Sequence, residues 1–156
     1  MQDPRGKTQE GRRRKVREVR SKTQNARAKG KENAMIQSYN DLKVYGLSYE
    51  LAMEIFWMTK DFPSEELYVL TTQIRKSSRS VPSNIAEGWS KRRHENIFRR
   101  HLLDSTGSCD ETKVWLDFSL DCKYITDPKH QDLTGRYEEV GKMLHGLVEN
   151  WTTFDK

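Results

Sequence analysis

Long apolar runs are missing from this chain of 156 residues. None exceeds a few residues, which excludes a membrane-spanning helix, because a span needs about 20 apolar residues in succession. The basic N-terminus carries no apolar segment of the kind a secretory signal requires. Cysteine is scarce: Cys109 and Cys122 stand thirteen residues apart with no Cys or His partner at ligand spacing. They read as reduced structural thiols in a cytoplasmic protein, not as a disulfide framework or a metal site. His94, His101, His130 and His145 share no ligand spacing with a carboxylate and read as structural or surface residues. Nucleophile, base and metal constellations are all absent, so the expected protein is non-enzymatic, with no cofactor and no metal. No alternating strand pattern competes with the helical one described below.

What is present is charge, unevenly placed. Residues 1–34 hold 12 Lys and Arg against 4 Asp and Glu, whereas residues 35–156 hold 16 against 19, so the net +5 belongs to the N-terminal segment. Within the remainder, 75–100 holds 8 basic against 2 acidic residues and 101–156 holds 6 against 11. The N-terminal segment has Val16 and Val19 as its only large aliphatic residues beyond Met1, too little apolar surface to offset the entropy of ordering. Residues 1–38 are therefore expected to be a basic, disordered extension and 39–156 the folded domain. Two readings of the extension stand side by side. It is an arm that neutralises phosphates through Arg12, Arg13, Arg14 and Lys15, or it precedes a start at Met35.

From Lys43 the pattern becomes helical. Val44, Leu47, Leu51, Ile55 and Met58 recur at steps of three and four, with Tyr45, Tyr49, Ala52 and Phe56 as a second stripe and Met53 and Trp57 as a third. Lys43, Glu50 and Glu54 make the polar strip. A helix apolar over most of its circumference is covered on two sides, one by its own bundle and the other by another subunit; Tyr45, Tyr49, Phe56 and Trp57 are the candidate interface. Phe62-Pro63 ends the helix, and Ser64 is placed to cap a second one, with Glu65 and Glu66 in its first turn. Leu67, Leu70, Ile74, Ser77, Ser78, Val81, Ile85 and Trp89 keep one apolar phase through Pro82. Proline there permits a kink or a break, and the unbroken phase favours a kink at Pro82 in a continuous helix. Gly88 is expected to be a stop or loop residue. A third helix from near His94 to Tyr124 follows the seam Phe98, Leu102, Ser105, Cys109, Thr112, Leu116 and Ser119, with Asp104, Asp110, Asp117 and Asp121 facing outward. Thr126-Asp127-Pro128 opens the fourth, whose seam is Leu133, Tyr137, Val140, Leu144, Leu147, Trp151 and Phe154. Gly107, Gly141 and Gly146 are expected to mark close helix contacts. The fold class is all-α, an antiparallel up-down-up-down four-helix bundle.

The motifs DLKVY, FP-x-x-E, L-T-x-Q-I-R, S-V-P-S-N-I-A-E-G, G-S-x-x-E-T and G-K-M-L-x-G-L occur in this order between Asn40 and Trp151. In these the chain resembles the four-helix-bundle family named for reading frames in 23S ribosomal RNA intervening sequences. One departure is Arg79, at a position often aliphatic in that family, beside Ser77 and Ser78 where alanines are common. The resemblance implies a ring-forming assembly, a pentamer, with no established enzymatic activity, and does not imply residence on the ribosome. A related branch, the accessory variability proteins of diversity-generating retroelements, binds nucleic acid and a reverse transcriptase; that role carries over by analogy only.

Arg75, Lys76, Arg79, Lys91, Arg92, Arg93, Arg99 and Arg100 are the candidate nucleic-acid-binding residues, for RNA or DNA without sequence preference. Competing readings are intrahelical pairing (Glu87–Lys91, Lys91–Glu95, Arg100–Asp104) and contact with the acidic face of a neighbouring subunit. Gln73, Asn84 and Glu87 are expected to satisfy one another or the carbonyls near Pro82. The four tryptophans read as core and interface residues. The alternative function is a protein-interaction scaffold whose partner docks on the acidic faces. No membrane partner is expected.

Overall fold

The computed structural model describes residues 36–151. Arg12, Arg13, Arg14, Lys15, Met35 and Phe154 lie outside them, and with them both readings of the N-terminal extension. Four helices are formed: α1 (Lys43–Met58), α2 (Leu70–Ser90), α3 (Glu95–Asp121) and α4 (Asp127–Asn150). Short 3-10 turns occupy Tyr39–Asp41, Thr59–Asp61 and Ser64–Glu66, and no strand occurs among the described residues. No helix among them is long and apolar enough to cross a membrane.

The heptad positions build the core as expected. Leu51 and Ile55 from α1, Ile74, Val81 and Ile85 from α2, Phe98, Leu102 and Leu116 from α3, and Leu133, Tyr137, Val140 and Leu144 from α4 are all sealed from solvent. Leu147 and Trp151 pack against this cluster while remaining partly accessible. Helix α2 passes through Pro82 without a break, and Pro82 is itself buried. Thr126 is the N-cap residue of α4, with proline in the first turn as the sequence indicates.

Hydroxyl groups hold α2 against α3. Thr112 Oγ1 lies 2.9 Å from Ser77 Oγ, Ser108 Oγ 2.9 Å from Ser80 Oγ, and Ser105 Oγ donates to the Val81 carbonyl at 3.0 Å. Residue numbers rise along α2 as they fall along α3, so the two helices are antiparallel, compatible with up-down-up-down connectivity. Such short side chains let two backbones approach closely while the hydroxyls of Ser77, Ser105 and Thr112 each keep a partner.

Five sequence expectations need correction. Gly88 is not a stop: it lies inside α2, where an added Cβ would sit 2.7 Å from His101 Cβ and 3.0 Å from Phe98 Cδ2. Gly107, Gly141 and Gly146 mark no close contact, since a Cβ at any of them would meet nothing within 4 Å. The second α-helix begins at Leu70 and not directly after Ser64. Val69, with φ −119° and ψ −102°, interrupts the helical path, which leaves Leu67 43% exposed instead of in the core. Glu66 takes the capping role, accepting from the Leu70 amide at 3.3 Å and from the Tyr124 hydroxyl at 2.9 Å. Cys122 is exposed, so of the two free thiols only the buried Cys109 serves packing. Burial, with Asp110 nearby, pushes the Cys109 thiol up to about 12.

The fifth correction concerns Glu54, which does not belong to a solvated strip. Its side chain is only 14% exposed and receives Lys129 Nζ and Arg136 Nη1, each at 2.6 Å, joining α1 to α4. Burial opposes ionisation of this carboxyl, but the hydrogen bonds and charges of Lys129 and Arg136 outweigh it and hold the pKa below its ordinary value. A depressed folded-state pKa contributes stability above the unfolded value of about 4.3, which is lost as pH falls through the folded one. Glu54→Gln is expected to lower stability near neutral pH by about 1–3 kcal/mol and to flatten the acid limb of a urea-denaturation series. In the same assay Gly88→Ala is expected to destabilise by about 1–3 kcal/mol through overpacking. Gly141→Ala, with open space for its methyl, is expected to gain up to about 1 kcal/mol.

Candidate nucleic-acid interface

The basic residues of 75–100 divide into two groups. Arg75, Lys76 and Arg79 lie at mid-helix on the outer face of α2. With Thr72, Ser80 and Ser83 they line an open groove of about 630 Å³. Their position follows from helical periodicity, because the opposite face carries Ile74, Ser78, Val81 and Ile85 into the core. Arg79 is eleven residues from the end of α2 at Ser90, about 16 Å at 1.5 Å per residue. Lys91, Arg92, Arg93, Arg99 and Arg100 gather beyond that end, at the turn into α3.

The two groups differ in what their charges already touch. Lys91 Nζ lies 2.8 Å from Glu87 Oε1 and 3.2 Å from His101 Nε2. Because the ammonium can only donate, His101 Nε2 accepts, and its Nδ1–H donates to Asn84 Oδ1 at 3.3 Å. Asn84 in turn donates to the carbonyl and hydroxyl of Ser80. Arg92 lies over the Trp89 ring at 4.4 Å and donates to the Trp89 carbonyl. Arg99 pairs with Glu95 at 2.7 Å and donates to the Trp151 carbonyl. Of the expected pairs, Glu87–Lys91 forms, whereas Lys91–Glu95 and Arg100–Asp104 do not, Arg99 having taken Glu95. Among the described residues, only Arg93 and Arg100 in this group are exposed without a charge partner.

The groove is different. None of Arg75, Lys76 and Arg79 has a carboxylate partner among the described residues. Arg75 Nε donates to Thr59 Oγ1 at 2.8 Å, which fixes the guanidinium while leaving its two terminal nitrogens free. Both guanidiniums lie over one ring: their central carbons are 4.9 Å (Arg75) and 5.6 Å (Arg79) from the Phe56 centroid, and Lys60 Nζ is 4.8 Å from it. The negative face of the ring attracts each cation, but the cations repel one another. Burial lowers the pKa of Arg75, and the adjacent Arg79 charge lowers it further. Three cations therefore converge on one ring, with the hydroxyls of Thr72, Ser80 and Ser83 lining the groove beside Arg75 and Arg79.

Phe56 thus sits beneath these cations, and Tyr45 is half-buried against Tyr39 at 4.9 Å between ring centroids. Of the four candidate interface residues only Tyr49 and Trp57 are substantially exposed, at 41% and 40%. Two further residues on this surface lie outside the sequence pattern. Lys60, four residues after Phe56, was detectable from that spacing; Tyr68, 86% exposed just before α2, carried no periodic signal.

Residues 40–146 match the family described as 23S rRNA-intervening sequence protein. The chain belongs to that family. A solved structure with TM-score 0.63 and 25% identity covers 69% of this chain and 96% of its own; it is a protein of unknown function from the S23 ribosomal protein family of Bacteroides thetaiotaomicron VPI-5482. No curated protein matches. Within this member of the 23S rRNA-intervening sequence protein family, the run from Ser80 to Gly88 is architectural. Pro82 and Ile85 are buried, Gly88 permits the close approach to α3, and Asn84 bridges Ser80 to His101. Glu87 bonds Lys91 and not Gln73 or Asn84. Asn84→Ala is expected to cost about 1–2 kcal/mol in thermal or chemical unfolding by stranding His101 Nδ1, whereas Arg93→Ala should change stability by less than about 0.5 kcal/mol.

Proposed function

We propose that this protein is a non-enzymatic, homo-oligomeric helical bundle, a pentameric ring, that binds nucleic acid as an accessory factor without reading its sequence. The observation that carries the binding reading is the Arg75–Lys76–Arg79 groove, whose cations have no carboxylate partner among the described residues and whose two arginines share one aromatic ring. A phosphate backbone supplies the missing negative charge and gains no base-specific contact from such a groove. The ring is what the resemblance to the family implies, and the exposed Tyr49 and Trp57 on α1 are suitable residues for the contact between copies. Light scattering is expected to report an oligomer; a monomer would remove the basis for the ring.

Binding is tested by titrating labelled RNA and DNA at several salt concentrations. Affinity should fall steeply with salt, by a logarithmic slope of about 0.7–0.9 per phosphate neutralised. Arg75→Gln combined with Arg79→Gln should weaken binding and reduce that slope, while Lys91→Gln, removing a charge already paired with Glu87, should change it little. Absence of binding at low salt would refute the reading.

A second reading is supported by the outer face of α3. Leu103, Val114 and Phe118 are exposed there, 57%, 49% and 53% accessible, alongside Asp104, Asp110, Asp117 and Asp121, also exposed. An apolar strip edged with carboxylates suits a protein partner with a basic rim, as a scaffold would require. A nuclease-resistant partner whose capture is abolished by Phe118→Asp would favour it.

A further inference from the structure

Tyr68 stands out on this surface. Its side chain is 86% exposed, and its neighbours Leu67 and Val69 are 43% and 60% exposed, so an apolar three-residue turn projects into water. The turn directly precedes Leu70, the first residue of α2. It is tied to the mouth of the basic groove, because the Thr72 hydroxyl donates to the Leu67 carbonyl and Thr72 also lines the groove. From Thr72 to Ser83 the groove follows eleven residues of one helix, about 16 Å. Positive charge therefore lies along α2, and an exposed aromatic ring lies in the turn that leads into the helix, next to Leu67, whose carbonyl the groove-lining Thr72 bonds.

Cations along one helix, with an exposed aromatic ring in the turn before it, match one polyanion better than others. The cations and hydroxyls are indifferent to whether phosphates belong to a single strand or a duplex. The ring is not. It gains from stacking only on a base whose face is uncovered, and within a duplex both faces of every internal base are taken. We infer that the groove binds single-stranded nucleic acid, of either sugar, with Tyr68 stacking on an unpaired base at the α2 N-terminal end. This rests on the proposal that the groove binds nucleic acid and specifies the kind. Arg75 and Arg79 hold the phosphates, and Tyr68 contributes the part of the affinity that does not depend on salt.

The test uses the full chain and labelled oligo(U), oligo(dT) and a duplex of equal length, followed by fluorescence anisotropy across a salt series. Both single strands are expected to bind more tightly than the duplex. Tyr68→Ala should weaken single-strand binding by about fivefold or more at every salt concentration with the salt slope unchanged, leave duplex binding as it was, and be rescued by Tyr68→Phe. Arg79→Gln should instead reduce the slope. With the side chain almost wholly in water, Tyr68→Ala should not alter folding, which a matching thermal midpoint would verify. Single-strand binding unchanged in Tyr68→Ala, or an equal loss for the duplex, would overturn the stacking inference while leaving the groove reading intact. Binding confined to one sugar would overturn the sugar-independent form. No binding of any of the three probes at low salt would overturn both.

Discussion

The contact between α2 and α3 sets the rest of the arrangement. At Gly88 the helices are so close that a single methyl would collide with the His101 backbone-proximal carbon, and further along the same interface the spacers are Ser77, Ser105 and Thr112. A helix pressed this tightly against its neighbour has no room for long side chains on that face. The long cationic residues of α2 must therefore emerge on the opposite one, where Arg75, Lys76 and Arg79 line up. The polar seam that closes the interface is bonded across the two helices: Ser105 donates to the Val81 carbonyl and Thr112 to the Ser77 hydroxyl, so close approach does not strand these hydroxyls.

The same interface explains why one cluster of basic residues is quiet and another is not. At the α2–α3 turn the two chains meet, and Glu87, Glu95, His101 and a carbonyl of Trp151 are within reach of Lys91 and Arg99. Those cations act as struts. At mid-helix no acidic residue among the described ones pairs with Arg75, Lys76 or Arg79, and the face of Phe56 is shared by three positive charges. Mutual repulsion there works against the folded state, so a bundle optimised for stability alone would carry a carboxylate in their midst. Uncompensated like charge fixed in place by a hydrogen bond to Thr59 is the observation on which the proposed binding of a polyanion rests.

Much of the fold was readable from residue order because heptad spacing is a local property. The seams Phe98 to Ser119 and Leu133 to Leu144 fall where the periodicity places them, and the phase continuing through Pro82 correctly indicated one helix. What escaped was whatever depended on a distant partner. Glu54 reads as solvated until Lys129 and Arg136 are brought to it from α4. Leu67 fits the helical phase, yet the chain leaves that path at Val69. The glycines were read in reverse: Gly88 near a helix end is the crowded one, and Gly107, Gly141 and Gly146 inside helices are open. A glycine's surroundings are set by the neighbouring helix, about which its own sequence context is silent.

The candidate site divides along the same line. Sequence by itself determined that the chain is an all-α bundle, that charge is segregated along it, and that a basic face exists near residues 75–100, because composition and period follow from the chain alone. Only the tertiary structure decided which of those charges remain free. It paired Lys91 and Arg99, set Arg75 and Arg79 on Phe56, and left Tyr68 in water in the turn before α2. The physical reason is that pairing is a matter of distances across helices, and those distances are fixed by how closely α2 and α3 can pack.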